Sequence, residues 1–418
     1  MKINLKSLLL LLVLITATLK EQYNSIIIII LSVYTIYEVI KHKSFKINYL
    51  KKVSPFIIYY ALVTLSVLYS ENLSQSLKMT LRMLPLLLFP FIFSTLKVTK
   101  KEFNFISKGY IVWILSICLY SHYIVIKKLI NNQDQLYNFF NNNYSYLSLT
   151  QDTIGLHSTY YAYAILIAII FIIHLFFTEV SKKLKAILLV ITLYFSFFIF
   201  HISARLPIAV MFLIYNLVIV YYFIKNNKIK QGAFILLLLY IFTGIIFYNV
   251  RVTRYRFQQV FGFTYYDGST HEDGKYKIRQ WQSSIAANNN ILIGNGIGDA
   301  NQSIYDTYPK FDLKKYKERK YNAHNQFIQT FVGLGIIGVI SLLLIFIFFI
   351  YYFSKNKSLI GIIFTLSSFI LFITESFLER QTGIVLFSFV ICLLFSVQQH
   401  LKNKPISCNK NNKEKPSL

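Results

Sequence analysis

Charged side chains are scarce in this sequence of 418 residues, and acidic ones are the scarcest. Only 14% of the residues are charged, 55% are hydrophobic, and the mean hydropathy is +0.51. A soluble domain exposes far more charge than this, because charged side chains are almost never buried. The composition therefore excludes an ordinary soluble enzyme and predicts a protein whose surface meets lipid.

Cysteine and clustered carboxylates are also lacking. The three cysteines, Cys118, Cys392 and Cys408, are scattered, and their spacing fits neither a disulfide framework nor a metal site. No carboxylate cluster resembles a metal site, and no Asp-x-Asp pair lies on a predicted outer loop. The sequence therefore predicts neither a metal nor another cofactor.

What the chain does contain is a series of long apolar runs, many of them near the ~20 residues that cross a bilayer. Backbone groups in lipid must be paired within their own segment, so these runs are helices. No small-x-small cleavage site follows the first run, so we expect a retained helix rather than a signal peptide. We predict an all-α polytopic membrane protein with about 12 transmembrane helices. The runs are 5–19, 24–40, 54–70, 79–96, 107–129, 159–177, 185–203, 205–224, 231–250, 325–353, 359–374 and 383–400.

The distribution of lysine and arginine predicts the orientation. A net charge of +26 would indicate nucleic acid in a soluble protein, but here most basic residues lie in short loops between apolar runs. Every second loop is lysine-rich, whereas residues 131–158 contain no lysine or arginine. The bias predicts cytoplasmic termini, with outer loops at 131–158 and 251–324, and no nucleic-acid partner.

These features divide the chain into nine transmembrane helices in 1–250, a large outer loop with short helices at 251–324, three helices in 325–400, and a disordered basic tail at 401–418. The large loop carries twelve Lys/Arg against seven Asp/Glu, which is unusual for an outer loop. An anionic ligand such as a phosphate would explain the excess, and so would a solvated face or contact with lipid headgroups.

Arginines in two places are candidates for binding an anion. Arg205 lies between two apolar runs, and Pro207 suits the first turn of a new helix, whose free N–H groups favour anions. Arg205 could also extend to lipid headgroups. Arg279 lies in a short amphipathic helix with Trp281 as an interfacial anchor. It is a second phosphate-binding candidate or an ordinary surface arginine.

Candidate bases and carboxylates also lie on the outer side. His324 directly precedes an apolar run, where it is a general base, or else a helix-capping or interfacial histidine. His157 and His201 raise the same alternatives. Glu375 and Glu379, four residues apart and followed by Arg380, either orient a histidine or arginine or form a polar hairpin tip.

A motif joins several of these residues. His324-Asn325, nine residues, then Gly335-Ile-Ile-Gly338 resembles the His-(Asn/Ser/Gln)-x9-Gly-x-x-Gly motif of the O-antigen ligase family. Arg205, the outer loop with Arg279 and Trp281, and the Gly294-Asn-Gly-Ile-Gly-Asp299 turn follow in the family's order. The resemblance covers roughly 155–385, as the apolar runs before it match only in being membrane helices.

The resemblance implies an inverting, metal-independent glycosyltransferase at the periplasmic face of a bacterial inner membrane. Its donor would be a glycan on undecaprenyl diphosphate, and its acceptor a hydroxyl of lipid A–core. Arg205 and Arg279 would bind the diphosphate and His324 would be the base, with His157, Asn325, Glu375, Arg380 and Trp281 in support. A glycan polymerase and a protein O-oligosaccharyltransferase remain alternatives, and a transporter of lipid-linked glycan fits less well, because its charges are expected at mid-membrane.

Overall fold

The computed structural model of the protein describes residues 4–43, 45, 47–141, 144–179, 181–249 and 273–402. These residues contain helices and connecting turns but no β-strand, which confirms the predicted all-α polytopic fold. The α-helices of the described residues are α1 (Leu5–Thr16), α2 (Glu21–His42), α3 (Ile47–Lys52), α4 (Ser54–Leu65), α5 (Leu73–Met83), α6 (Pro85–Thr95), α7 (Lys100–Asn131), α8 (Gln151–Ile154), α9 (Ser158–Thr178), α10 (Lys182–Ile202), α11 (Arg205–Lys225), α12 (Ile229–Asn249), α13 (Asp273–Ala286), α14 (Ala300–Thr307), α15 (Lys314–Glu318), α16 (Gln326–Lys355), α17 (Leu359–Phe372) and α18 (Gln381–Lys402).

Eight segments of the described chain are long and apolar enough to cross a membrane. Shorter apolar helices occur at Leu5–Thr16, Ser54–Leu68, Ile229–Ile245 and Leu359–Phe372, so the exact number of twelve spans stays a prediction. The predicted bounds 1–250, 251–324 and 325–400 also stay predictions. The predicted tail at 401–418 lies almost wholly outside the described residues, as does the start of the large loop.

Residues 73–78 form helix where the sequence predicts a loop. Helix α5 begins at Leu73 because the side chain of Asn72 accepts a hydrogen bond from the backbone N–H of Gln75 at 3.0 Å. Its polar and apolar residues lie on different faces, which an analysis by apolar runs alone does not detect. Together with α6 it forms one candidate span, Leu73–Thr95.

The chain forms two compact units, one of residues 1–106 and 275–418 and the other of residues 107–274, with the boundary inside α7. In the first unit, α16 packs against α17 and α4, and α18 packs against α6. In the second, α9 packs against α10 and α11, and α11 against α12. Helices α9 and α18 are almost entirely buried, as expected of helices that are apolar on all sides.

Helices α14 and α15 form a small layer with an apolar core of its own within the first unit. Ala300, Ile304 and Tyr308 pack with Leu313, and Val332 of α16 joins them. This cluster fixes the described part of the outer loop to the first turns of α16. The segment 319–325, which leads into α16, is therefore held from both sides.

Candidate functional site

Helix α16 is broken at Gly335. This residue has φ 63° and ψ −164°, a conformation essentially restricted to glycine. The rings of Phe327 and Phe346 lie 6.2 Å apart, although a continuous helix would separate them by roughly 28 Å. The first turns of α16 therefore fold back against the rest of the helix, and they take the His324 end with them.

The turn at 294–298 closes the break from one side. The backbone N–H of Asn295 donates to the carbonyl of Val332 at 2.8 Å, and that of Gly296 donates to the carbonyl of Gly333 at 3.0 Å. These carbonyls lose their helical partners where the helix ends. The glycine-rich turn thus closes the broken end of the helix through backbone hydrogen bonds.

The residues before the turn close the break from the other side. The N–H groups of Ile336 and Ile337 donate to the carbonyls of Ile291 and Leu292 at 2.8 and 3.3 Å. A Cβ on Gly335 would collide with the backbone of Leu292, so these two segments of the chain can approach each other only with glycine at this position. The two glycine motifs therefore form one structural element.

Asp299, the last residue of the glycine-rich motif, anchors this element to α5. Its carboxylate accepts hydrogen bonds from the backbone N–H groups of Glu71 and Asn72 at 2.7 and 2.9 Å. The Asp299 side chain therefore binds backbone of the same unit and ties the outer loop to the start of α5.

Asn325 caps α16. Its side-chain oxygen accepts from the N–H groups of Phe327 and Ile328 at 2.9 and 3.1 Å. His324 is thereby not the cap. Its backbone has φ 44°, and its N–H donates to the side-chain oxygen of Asn322 at 3.0 Å. His324 thus has a left-handed backbone conformation directly before the cap.

The imidazole of His324 contacts a carboxylate. Nδ1 lies 3.3 Å from Oε2 of Glu375, whose side chain is 9% exposed, whereas that of His324 is 29% exposed. Within the part of the chain that the structure describes, Nε2 has no hydrogen-bond partner. A histidine held by a carboxylate at one nitrogen, with the other nitrogen accessible, is the arrangement of a general base.

Helix α13 connects the two sides of this pair. The Nζ of Lys277 donates to the carbonyl of Thr374 at 3.1 Å, next to Glu375. The amide of Gln280 donates to the carbonyl of Asn322 at 2.8 Å, near His324. Helix α13 thus holds the histidine segment and the Glu375 turn at the same site.

Arg279 and Trp281 lie on the same helix. Arg279 is exposed, and Trp281 is half-buried with its ring 5.9 Å from the Nζ of Lys277. The indole N–H is buried and has no partner among the described residues. The helix predicted around Arg279 is present. Lys277, two residues before Arg279, was not among the candidate residues predicted from the sequence.

A second polar network lies beside the pair. The carboxylate of Glu379 accepts from the amide of Asn301 at 2.9 Å, and the oxygen of Asn301 accepts from the amide of Gln329 at 2.9 Å. The oxygen of Gln329 accepts from the N–H of Ala323 at 3.1 Å, next to His324. Burial raises the pKa of the Glu379 carboxyl above its ordinary value, although Asn301 acts in the opposite direction.

Glu375 and Glu379 therefore have separate roles. Glu375 precedes a 3₁₀ turn, Phe377–Glu379, of which Glu379 is the last residue, so the two do not share one face of an α-helix. Of the two, only Glu375 contacts His324. Arg82 of α5 donates to the backbone carbonyl of Glu379 at 3.0 Å. Arg380 follows the turn and is exposed. A lone arginine within the Leu73–Thr95 span was the signal that could have identified Arg82.

The remaining candidates belong to the second unit. Arg205 is the first residue of α11 and is half-buried, with Pro207 in the first turn as the sequence predicts. His157 is the N-cap of α9, and its Nδ1 accepts from the N–H of Thr159 at 3.4 Å. The capping interpretation of His157 therefore accounts for its position.

His201 is buried in a chain of hydrogen bonds within the second unit. Its Nε2 lies 2.8 Å from the carbonyl of Phe139, to which only an N–H can donate. Its Nδ1 then accepts from Nε2 of His122 at 3.2 Å, and Nδ1 of His122 accepts from the hydroxyl of Tyr194 at 2.9 Å. Both imidazoles are neutral in this arrangement, and every ring nitrogen is used.

No group of three or more histidine, cysteine or carboxylate residues that could hold a metal ion occurs among the described residues. None of the candidate residues is therefore assigned as a metal ligand.

Part of the chain matches a known protein family. Residues 190–343 match the model of the O-antigen ligase family, a stretch that contains Arg205, Arg279, Trp281, His324 and Asn325. No curated protein matches the chain. The family's activity is of the ligase or polymerase type, with a lipid-linked glycan and an acceptor as partners. The match confirms the resemblance over these residues and supports assigning this membrane protein to the O-antigen ligase family.

Proposed function

We propose that the protein is an O-antigen ligase-like glycosyltransferase that moves a glycan from undecaprenyl diphosphate to an acceptor hydroxyl, with His324 as the base. The observation that carries this proposal is the contact between Nδ1 of His324 and Glu375 at 3.3 Å, inside a site that overlaps the family match. Nε2 then remains to accept a proton.

The carboxylate of Glu375 favours one tautomer of the His324 imidazole. A carboxylate can only accept hydrogen bonds, so Glu375 favours the form of His324 with its proton on Nδ1. The lone pair of Nε2 is then available, and the positive charge that develops on protonation is stabilised by Glu375. Lys277 holds the Glu375 turn from its backbone, through the carbonyl of Thr374.

The reaction requires one displacement at the anomeric carbon. The acceptor O–H gives its proton to Nε2 of His324 while its oxygen forms the new bond to the sugar. The bond between the anomeric carbon and the diphosphate breaks, and the lipid diphosphate leaves with the electron pair. Attack opposite the leaving group inverts the anomeric centre.

Cations would stabilise the leaving diphosphate. Arg279 is exposed on α13, the helix that contacts both sides of the histidine pair. A guanidinium binds two phosphate oxygens in a planar fork and keeps its charge at any physiological pH. The family resemblance also implies a diphosphate-binding role for Arg205, which lies at the start of α11 in the second unit, where free N–H groups favour anions.

The proposed acceptor is lipid A–core at the periplasmic face of the inner membrane. A repeat unit on a second lipid carrier, as in a polymerase, and a protein hydroxyl are alternative acceptors of the same chemistry. A transporter would leave the glycan on its original lipid, so product analysis separates it from all three.

The test is a lipopolysaccharide gel from the producing organism with the gene deleted, complemented by wild type, His324→Ala or His42→Ala. His42 is the matched control, since its Nε2 lies 4.0 Å from Glu38 on the surface of α2. A ligase gives bare lipid A–core and polymer on the lipid carrier in the deletion and in His324→Ala, but a full ladder in His42→Ala.

Three other results would redirect or contradict the proposal. Core capped by a single repeat unit in the deletion strain would identify a polymerase. An unchanged ladder in the deletion strain would contradict a role in lipopolysaccharide. A full ladder with His324→Ala would contradict the base.

A further inference from the structure

Three consecutive aliphatic residues of the outer loop are exposed beside the break in α16. Ile291 and Leu292 are 69% and 62% exposed, and Ile293 is 39% exposed. We call residues 291–293 the aliphatic tip. An exposed run of this kind in a water-filled compartment is unfavourable, and it marks a surface that contacts something apolar.

Most backbone groups of the aliphatic tip are already paired within the protein. The carbonyls of Ile291 and Leu292 accept from α16, and the carbonyl of Ile293 accepts from the hydroxyl of Tyr69 at 2.7 Å. The N–H groups of Leu292 and Ile293 donate to the side-chain oxygen of Asn290 at 3.1 and 3.3 Å. Irregular backbone enters lipid only when its polar groups are satisfied within the protein, and five of the six backbone groups of the tip have such partners.

The length of α16 places the tip at a membrane boundary. Tyr351 and Lys355, in cation–π contact at 5.7 Å, are typical of one headgroup layer. From Lys355 to the break at Gly335 the helix has about 20 residues, or about 30 Å, which is the thickness of the hydrocarbon core. The tip, paired to the residues just after Gly335, is therefore at the opposite boundary.

A second helix gives the same position. The apolar helix Ser54–Leu68 begins beside Lys51 and Lys52 and ends next to Tyr69, the residue that bonds the tip. Tyrosine is enriched at membrane boundaries because its ring is apolar and its hydroxyl is polar. Two independent segments of the first unit thus place the tip at the boundary opposite their lysines.

The apolar surface of the tip is continuous with surface that faces lipid. On α16, Ile336, Ile337 and Ile340 are 38%, 43% and 51% exposed, directly beyond the break. Aliphatic side chains on a candidate span that are exposed in the folded chain face acyl chains. We propose that the aliphatic tip is inserted into the acyl-chain region of the bilayer and anchors the large outer loop to the membrane.

The proposal does not depend on the reaction and is tested by the depth of a spin label. The three cysteines are first replaced, as Cys118→Ala, Cys392→Ala and Cys408→Ser. A nitroxide is then attached at Leu292→Cys in vesicles of phosphatidylethanolamine and phosphatidylglycerol that contain no polyprenyl lipid. Its relaxation is measured with oxygen, which concentrates in lipid, and with a polar nickel chelate, which is excluded from it.

Matched labels calibrate the result. Ile340→Cys reports the lipid-facing side of α16, and Gln302→Cys reports an exposed polar position on α14. We expect the Leu292 label to resemble Ile340, with oxygen access several times greater relative to nickel than at Gln302. Because no polyprenyl lipid is present, protection cannot come from the donor.

A Leu292 label that is as accessible to nickel as the Gln302 label would overturn the proposal. The substitution removes an exposed side chain, so the fold is expected to survive. A labelled Ile291→Cys variant, at the other strongly exposed position, must give the same result as Leu292→Cys, and nickel access there would overturn the proposal equally.

Discussion

Each unit contains a histidine in a hydrogen-bonded pair, and the two pairs differ in whether a ring nitrogen is left without a partner among the described residues. In the first unit, His324 contacts Glu375 through Nδ1, and its side chain is 29% exposed. In the second, His122 and His201 are buried, and Nε2 of His201 donates to the carbonyl of Phe139. Partners saturate the second pair, whereas the first retains a nitrogen with none among the described residues.

The difference separates a base from a structural histidine. A general base needs a lone pair that substrate can reach and a partner that stabilises its protonated form. Glu375 supplies the partner for His324. Protonation of His201 would place its Nδ1–H opposite the Nε2–H of His122, and protonation of His122 would place its Nδ1–H opposite the Tyr194 hydroxyl that now donates to it, so either change breaks the buried chain. From sequence alone, His324 and His201 presented the same alternatives, and their partners distinguish them.

The largest expected effect is a loss of transfer activity when His324 is replaced, whereas replacing His201 is expected to lower stability. His324→Ala is expected to reduce transfer by about 10²–10⁴-fold, the usual contribution of a general base, and to leave the fold intact. His201→Ala is expected to lower the free energy of unfolding by about 1–3 kcal/mol, because it leaves buried groups unpaired, while the folded protein retains transfer. Rates in vesicles and thermal unfolding in detergent measure both. Equal loss of transfer in both variants would remove the distinction.

A smaller effect is expected at the partner of the base. Glu375→Gln keeps the shape but replaces an acceptor-only group and loses the negative charge, so we expect transfer to fall at least about tenfold. Glu38→Gln, in the matched pair with His42 on α2, is expected to have no effect. Initial rates at saturating donor check this. Wild-type rates for Glu375→Gln would show that the pair is a polar hairpin contact only.

The helix break supports the first pair and can be tested by stability. Gly335→Ala forces a side chain into a glycine conformation against the backbone of Leu292, so we expect a loss of about 1–3 kcal/mol in the free energy of unfolding, with transfer reduced as well. Gly244→Ala is the control, because a Cβ there has open space within a helix. An unchanged melting temperature for Gly335→Ala would contradict the break.

The smallest effect concerns Glu379 and depends on pH. Burial raises the pKa of this carboxyl, so the folded protein favours its protonated form. Its stabilising contribution is complete below the unfolded pKa and is lost as pH rises through the folded pKa. Glu379→Gln is therefore expected to raise the melting temperature near pH 7 and to leave it unchanged near about pH 4. A lower melting temperature at both pH values would show that the ionised carboxylate stabilises the fold.

Local sequence patterns were sufficient to predict the helical membrane fold and the position of the motif, although not helix α5. The apolar runs predicted the membrane fold, and His324-Asn325 before a long run marked the start of α16, which Asn325 caps. The amphipathic pattern around Arg279 predicted α13. These features depend on neighbours within a few residues, which the sequence displays directly.

The contacts that form the site depend on distant residues. Asn301 and Glu379 are 78 positions apart, and Arg82 and Glu379 are 297 apart, so no local pattern predicts either contact. The break at Gly335 was also hidden, because the apolar composition continues across it. The glycines at 294 and 335 were visible separately, and only the fold shows that they meet.

The most direct test of the base is chemical rescue of His324→Gly in vesicles with a lipid-linked glycan donor. Glycine suits the left-handed backbone at this position, where φ is 44°, and leaves space for an added imidazole. The account predicts that transfer is lost in His324→Gly and restored in part by free imidazole, while His201→Gly shows no rescue. Full transfer by His324→Gly without imidazole would contradict the role of His324.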